Sequence, residues 1–279
     1  MKVYSFTLIA IGIFGAAIVQ EMSFEEYNPK STLVVPENPV KRAKFTFVDV
    51  HSHQFNMESQ DLSELIQDMD QMNMGVMVNL SGGSGAGLRA KLKNVNENYP
   101  NRFVVFANVD FSGIGTANWG ELAAAQLELD VKSGAKGLKI YKSLGLRYKD
   151  SDGNRVAIDD PRLDPIWEKC AELGIPVLIH AADPKSFWDP MDSSNERWLE
   201  LKTRPRRKRS ATNPAPWQQI IDEQHRMFKK HPKTKFINAH MGWYANNLGR
   251  LGELLDEMPN MYVGIGAIIA ELGRQPRQA

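Results

Sequence analysis

The chain has 279 residues, with 34 Lys and Arg against 33 Asp and Glu, so its formal net charge is +1. This near-neutral balance argues against a nucleic-acid-binding protein, whose binding domain is normally strongly basic. The single cysteine, Cys170, excludes an intrachain disulfide, and ordinary hydrophobic, glycine and proline contents exclude wholesale disorder and a multi-span membrane protein. A globular α/β or α+β protein remains.

Residues 1–20 have the composition of an export signal. Positions 3–19 form a nearly uncharged apolar run behind Lys2, with small residues at 15–17. The alternative is an uncleaved membrane anchor, because this run approaches the lower length limit for crossing a bilayer. Either interpretation predicts an exported protein, periplasmic or secreted, that meets a membrane only through an uncleaved segment. Residues 21–44, which contain three prolines, are expected to be an extended lead-in.

From residue 45 onward, short apolar segments alternate with amphipathic helical patterns. Seven strands are predicted, at 45–50, 75–80, 102–109, 135–141, 175–180, 234–240 and 260–266. The predicted helices lie at 61–72, 85–98, 119–133, 161–174, 216–231 and 243–257. Strands that are apolar throughout are buried on both faces, as a parallel sheet requires. Since histidines end several strands and a barrel brings all strand ends to one mouth, we favour an α/β fold of the (β/α)8 TIM barrel type over a doubly wound sheet.

The strand spacing predicts that this barrel is incomplete. The first strand begins near 45 and the seventh near 261, so each strand–helix unit takes about 36 residues. An eighth strand would begin near 297, and residues 271–279 have the pattern of an opening helix. We therefore expect a barrel domain at 45–279 that lacks strand eight and helix eight. Its exposed strand edges would favour aggregation.

Four of the six histidines end or follow predicted strands. His51 and His53 are spaced i, i+2, so on a strand both point to the same side, and His180 and His240 end the fifth and sixth strands. A catalytic metal site needs neutral imidazoles that converge on an open coordination position. The sequence therefore predicts a metal site at the barrel mouth. The other two histidines are expected at the surface, since they lie on or after a helix beside basic residues.

Four motifs in order carry a family resemblance: VDVHSH in strand one, GLKIY in strand four, IPVLIH in strand five and AHMG in strand six. From about residue 45 to its end, the sequence resembles the amidohydrolase superfamily in its amidohydrolase-related (type 2) branch. The resemblance implies one or two divalent metals, for which we expect zinc, with three ligands: His51, His53 and His180. It implies that His240 binds a second metal or transfers a proton. The family's essential Asp at the end of strand eight has no counterpart in the predicted strands.

Lys139, in strand four, is the second candidate catalytic residue. In two-metal relatives of the resembled family, a lysine of this strand becomes carbamylated and bridges the metals. In a single-metal site the lysine need not be a ligand, and burial beside the metal would lower its pKa. Both alternatives stay open.

The implied chemistry is hydrolysis of an amide, ester or lactone bond of a small molecule by metal-activated water. The first alternative is a non-oxidative decarboxylase of a small carboxylic acid, because the same branch contains such enzymes and four histidines do not separate the two reactions. The second alternative is a non-catalytic exported binding protein or a degenerate barrel. We expect a small-molecule substrate and no nucleic acid as partners, leave a homodimer open, and expect residues 1–279 alone to be inactive or poorly soluble.

The loop after strand five, residues 181–215, is expected to shape the pocket, because strand-to-helix loops build barrel active sites. Asp183, Trp188 and Arg197 are its candidate pocket residues, and a packed surface loop is the alternative. The glycine-rich stretch 81–87 follows strand two but lacks the spacing of a phosphate-binding loop. We interpret it as a flexible loop at the barrel mouth.

Overall fold

The computed structural model describes residues 22–23, 25–36 and 38–276. The chain divides into two units, residues 1–38 and 39–279. The described residues of the first unit form no helix or strand. The predicted export signal lies outside the described residues, and none of the helices within them is long and apolar enough to cross a membrane.

The second unit alternates strands and helices along its described residues. The strands are β1 (Phe47–Ser52), β2 (Met74–Asn79), β3 (Phe103–Val105), β4 (Ala107–Asn108), β5 (Leu138–Ile140), β6 (Val177–Ile179), β7 (Phe236–Asn238) and β8 (Met261–Val263). The helices are α1 (Ser63–Met72), α2 (Gly85–Asn98), α3 (Trp119–Lys132), α4 (Ser143–Leu146), α5 (Asp164–Glu172), α6 (Trp198–Thr203), α7 (Trp217–Lys230), α8 (Leu248–Glu257) and α9 (Ile269–Leu272). Every strand and helix predicted between residues 45 and 266 is present.

Apolar periodicity explains how the helices attach to the sheet. In α7, the buried side chains of Trp217, Ile220, Ile221 and Phe228 are spaced three, one and seven residues apart, which places them on one face. Phe228 stacks on Phe236 of β7, with ring centroids 4.5 Å apart. Burying each such side chain contributes roughly 1.5–3 kcal/mol. The helix is therefore fixed against the strand that carries His240 two residues further on.

Two parallel sheets meet where one predicted strand is split. Their strand orders are β1-β2-β3 and β4-β5-β6-β7-β8. Phe106 alone separates β3 from β4, and its N–H donates to the carbonyl of Asn79 in β2. The next N–H, of Ala107, donates to the carbonyl of Gly137 just before β5. The predicted strand 102–109 thus passes from one sheet to the other and joins them into one ribbon of parallel strands.

This ribbon is a TIM barrel with an open seam. Within the described residues, β1 pairs only with β2 and β8 pairs only with β7, so neither has a strand partner on its outer edge. Apolar side chains at the seam are exposed accordingly: Val48 by 52%, Val50 by 44% and Tyr262 by 51%. The expected incomplete barrel is confirmed.

Alternation along the strands separates two apolar cores. Leu138 and Ile140 of β5 belong to the large core beneath the helices, and Lys139 between them points to the opposite face. A smaller cluster consists of Val78, Leu80, Phe106, Leu178 and Ala239. Lys139 pairs in register with Leu178 of that cluster. Lys139 therefore lies on the inner face of the barrel.

The helix opening predicted at 271–279 is present only as a short turn, and the described residues 273–276 do not continue it. The structure has one helical turn there, α9, which ends at Leu272. Pro276 explains the ending, because proline disfavours helical backbone at the residue before it and cannot donate a helical hydrogen bond. Residues 277–279 lie outside the described part of the chain.

Candidate metal centre

The four strand-end histidines come together at the carboxyl ends of β1, β6 and β7. The ring centroid of His51 lies 5.5 Å from that of His53 and 5.2 Å from that of His240. The rings of His180 and His240 are 4.3 Å apart. Parallel strands deliver them to one mouth, since His180 directly follows β6 and His240 is the second residue after β7. Their roles as metal ligands stay predictions.

A turn of left-handed residues delivers His240. Four consecutive residues after β7 have positive φ, between +50° and +67°: His240, Met241, Gly242 and Trp243. Non-glycine residues rarely adopt this conformation, and such strain concentrates at functional sites. A Cβ atom at Gly242 would lie 2.5 Å from Nδ2 of Asn238, so this position accepts only glycine without rearrangement. In the AHMG motif, close packing against Asn238 therefore requires the glycine, and the histidine belongs to the histidine cluster.

Hydrogen bonds fix the protons of His180 and His240. Nδ1 of His240 lies 2.6 Å from the carbonyl oxygen of Gly266, which can only accept, so this nitrogen carries the proton. Nε2 of neutral His240 is then an acceptor, and Nδ1 of His180 donates to it across 3.3 Å. His180 consequently keeps its lone pair on Nε2. That buried atom has no hydrogen-bond partner among the described residues.

Burial keeps the imidazoles neutral. It is the largest cause that lowers the pKa of His180 well below its ordinary value and that of His51 to about 3. Burial also lowers the pKa of His53 and of His240, and the positive charge of Lys139 acts in the same direction. Neutral imidazole is the form that binds a metal ion.

Lys139 lies in the same interior. Its side chain is buried, and its Nζ finds no hydrogen-bond partner within the described part of the chain. Nζ stands 5.4 Å from the ring centroid of Tyr141. Burial lowers the pKa of Lys139 to about 7, because the charged ammonium loses its hydration. This amine can therefore gain or lose a proton near neutral pH.

Of the three predicted pocket residues, Asp183 and Trp188 hold the loop together. The Asp183 carboxylate is buried and pairs with Lys142 and, at 3.0 Å, with Arg209. The Trp188 indole N–H donates to the carbonyl of Ala215 across 2.8 Å. These contacts order the loop after β6 and leave two cations around one carboxylate near the histidines.

Arg197, the third predicted pocket residue, lines a cavity of about 50 Å³. Trp243 lines the same cavity, and its ring centroid lies 4.8 Å from that of His240. Arg197 pairs with Glu271 of α9 and, at 3.4 Å, with Glu200. The cavity is therefore small and polar on one side, and an aromatic wall separates it from the histidines.

A family model described as "Amidohydrolase" matches residues 88–279. The chain belongs to this amidohydrolase family. The family consists of enzymes, and they use divalent metals. The matched range contains Lys139, His180 and His240, whereas His51 and His53 precede it.

Solved structures resemble the chain at low sequence identity. A putative amidohydrolase from Staphylococcus aureus is 20% identical over 84% of both chains, with a TM-score of 0.48. A 4-oxalomesaconate hydratase from Rhodopseudomonas palustris is 17% identical over 79% of this chain and 65% of that one, at 0.49. A 2,6-dihydroxybenzoate decarboxylase from Rhizobium is 16% identical over 84% of both, at 0.46. No curated protein matches the chain in sequence.

The donor set of this chain suits a divalent metal. Among the described residues, no three His, Cys, Asp or Glu side chains already stand in an arrangement that could hold an ion, so the cluster is a set of donors rather than a finished coordination shell. Nε2 of His180 nevertheless has a buried lone pair that receives no hydrogen bond from the part of the chain that the structure describes. A metal ion about 2.0–2.1 Å from this nitrogen would use its lone pair, as a hydrogen-bond donor at about 2.7–3.2 Å would. Metal binding would therefore satisfy this atom.

The expectation that the other two histidines lie at the surface of the protein is wrong for His231. Its side chain is 7% exposed, and its Nε2 lies 2.8 Å from a carboxylate oxygen of Asp164. The expectation rested on the basic neighbours of His231 along the chain, whereas the structure places its ring against the partly buried carboxylate of Asp164 in α5. His231 lines a cavity of about 510 Å³ between α5 and the end of α7, which includes Thr234 just before β7. This cavity lies at the amino ends of the strands, away from the histidine cluster.

Sequence reasoning missed Ser81 and Tyr141. Nδ1 of His53 lies 2.8 Å from Oγ of Ser81, and that oxygen lies 2.9 Å from Oη of Tyr141. Ser81 directly follows the predicted strand 75–80, and Tyr141 ends the predicted strand 135–141. The positional signal that singled out the histidines therefore applied to both residues.

Proposed function

We propose that this amidohydrolase is a metal-dependent hydrolase that cleaves an amide, ester or lactone bond of a small molecule. The observation that carries the proposal is the buried Nε2 of His180, which has no hydrogen-bond partner among the described residues and belongs to a cluster of four imidazoles. His51, His53 and His180 would hold the ion, and zinc suits an all-imidazole set. A bound metal would lower the pKa of its bound water to about 7 and polarise the substrate carbonyl.

The chain's own residues would orient the site and move a proton in it. Lys139, with a pKa of about 7, can hold or release a proton at Nζ under neutral conditions. His240 orients His180, because its Nε2 accepts the His180 Nδ1–H. Trp243 packs its ring 5.7 Å from that of His180 and excludes water from this side of the cluster. Carbamylation of Lys139 and proton transfer through His240 stay predictions.

Decarboxylation of a small carboxylic acid is the second candidate. Lys142 and Arg209 share the single carboxylate of Asp183, which leaves one positive charge in excess. The charge of Lys142 contributes to lowering the pKa of both His180 and His240, so it acts on the cluster directly. Such a charge favours a substrate with a carboxylate. We expect Arg209→Gln to raise KM for anionic substrates and leave KM for neutral esters unchanged; equal effects on both would remove the support for this candidate.

Metal removal and restoration test the proposed hydrolase. The proposal departs here from the expectation that residues 1–279 alone are inactive: we expect metal-depleted protein to be inactive on a panel of small amides, esters and lactones, and added zinc or manganese to restore turnover. His180→Ala should abolish the restoration, whereas His225→Ala, which changes a half-buried histidine outside the cluster, should not. Tight ligand binding that survives EDTA without turnover would instead favour a non-catalytic binding protein.

A further inference from the structure

The glycine-rich stretch after β2 contributes a side chain to the histidine cluster. His53 Nδ1 lies 2.8 Å from Ser81 Oγ, and Ser81 Oγ lies 2.9 Å from Tyr141 Oη. Tyr141 Oη in turn lies 3.1 Å from the carbonyl oxygen of Leu80. Four groups from three strands and their ends thus form one hydrogen-bond chain.

The last acceptor sets the direction of this chain. A carbonyl has no proton, so Tyr141 donates to Leu80; the reverse order would leave two oxygens facing each other at 3.1 Å without a proton between them. Each hydroxyl has one proton, so the Tyr141 oxygen accepts from Ser81. The Ser81 oxygen then accepts from Nδ1–H of His53. Nε2 of His53 is left with its lone pair.

The backbone around Ser81 is held from several sides. Its N–H donates to Oδ1 of Asn79 across 2.9 Å, and its carbonyl accepts from Nζ of Lys91 at the same distance. The next residue has to be glycine, because a Cβ atom on Gly82 would lie 2.2 Å from the carbonyl oxygen of Phe106. Ser81 is 4% exposed, so water does not compete for its hydroxyl. The loop is therefore built to place this hydroxyl, which corrects its interpretation as flexible.

We propose that Ser81 and Tyr141 are positioning residues for His53: their hydroxyl chain, ending on Leu80, fixes the His53 proton on Nδ1 and presents Nε2 to a metal ion. This inference rests on the proposed metal function for its purpose and on its own contacts for its geometry. When one ring nitrogen of a histidine binds a metal, the group that accepts a hydrogen bond from the other nitrogen typically strengthens metal affinity by about 10–100-fold. Neither hydroxyl touches the ion or the substrate.

The first test reads the tautomer in the metal-free protein. Long-range ¹H–¹⁵N spectra of histidine-labelled protein distinguish a proton on Nδ1 from one on Nε2. We expect His53 to carry its proton on Nδ1 in the wild type and to populate both tautomers in Ser81→Ala. A wild-type His53 with its proton on Nε2 would overturn the proposal, and this result is independent of whether a metal binds.

The second test reads metal affinity in matched variants. We expect Ser81→Ala to weaken zinc binding by about 10–100-fold and Tyr141→Phe to weaken it less, since Ser81 can still accept from His53. Ser81→Thr keeps the hydroxyl and should restore affinity. The controls are Ser84→Ala, in the same loop but without a capping hydrogen bond, and Tyr148→Phe, whose ring stacks on Phe111.

A merely structural role predicts a different pattern. It would lower the melting temperature of the metal-free variants without a change in zinc affinity, and that result would overturn the proposal. If Ser81→Ala fails to fold, the zinc affinity of Tyr141→Phe and the His53 tautomer of the wild type still test the proposal. If the wild-type protein has its His53 proton on Nδ1 but binds no zinc, this result would support the hydrogen-bond chain and contradict the proposed metal-dependent function.

Discussion

At the scale of single residues, the chemistry of the cluster depends on where its protons lie. Two hydrogen-bond chains end on backbone carbonyls, one from His180 through His240 to Gly266 and one from His53 through two hydroxyls. A carbonyl can only accept, so each chain has one direction. The imidazoles therefore reach the mouth neutral and oriented, and a metal ion would have few protons to displace.

Lys139 gives a prediction for stability against pH. Its pKa is about 7 in the folded chain and 10.5 ordinarily, so between these values the unfolded chain binds the extra proton. Stability rises with pH wherever the unfolded state binds more protons. We expect the free energy of unfolding of the metal-free protein to rise from pH 7 to pH 9, and Lys139→Met to remove this rise and stabilise the protein by up to about 4 kcal/mol at pH 7.

Urea unfolding at the two pH values measures this effect. The matched control is Lys136→Met, which changes an exposed lysine three residues before Lys139 and should keep the wild-type rise in the free energy of unfolding. If the free energy of unfolding rose equally with pH in wild type and in Lys139→Met, the buried charge of Lys139 would not be the cause of the rise.

At the scale of elements, two glycines of the stretch 81–87 have different roles. Gly82, three residues after β2, packs its backbone against Phe106 between β3 and β4, and a Cβ atom there would lie 2.2 Å from the Phe106 carbonyl oxygen. Gly87 lies in α2, and an added Cβ would meet nothing within 4 Å. Close packing therefore requires the first glycine, whereas the second only lowers helix propensity.

These two glycines provide a paired prediction. Gly87→Ala should stabilise the protein by about 0.5–1 kcal/mol, because alanine loses less backbone entropy in a helix. Gly82→Ala should destabilise it by about 1–3 kcal/mol through overpacking, and should also weaken zinc binding because it displaces Ser81. Thermal unfolding and zinc titration of both variants measure this. Equal melting temperatures would contradict the close approach at Gly82.

The element pattern could be predicted from the sequence because it depends on local periodicity. Apolar runs and amphipathic spacing placed all seven strands, and α2 was predicted with its observed ends at 85 and 98. The strand-end rule also predicted that four histidines would meet. Contacts between loops were beyond such reasoning: the pairing of Asp183 with Lys142 and Arg209 joins residues 41 and 26 positions apart. The burial of His231 likewise depended on Asp164, 67 positions away.

At the scale of the whole molecule, the open seam between β1 and β8 is the main liability. Val48, Val50 and Tyr262 expose about half of their side chains there, next to strand edges with no partner among the described residues. Unpaired edges with apolar side chains are templates for association with other chains. We therefore expect the seam to drive self-association of this chain.

Charge at the seam should reduce that association. We expect the double variant Val48→Lys/Val50→Lys to elute as a smaller species and scatter less light than the wild type, with little change in melting temperature. The matched control is Leu122→Lys/Leu129→Lys, at exposed leucines of α3 away from the seam. Equal loss of association in both pairs would mean that general charge, and not the edge of β1, is responsible.

The central claim is that the histidine cluster of this chain holds a divalent metal. Calorimetric titration of the metal-depleted protein with zinc, and then with manganese, tests it most directly. The account predicts saturable binding of one or two ions per chain, lost in His180→Ala and retained in His225→Ala. Binding of equal strength in both variants, or no binding by the wild type, would contradict it.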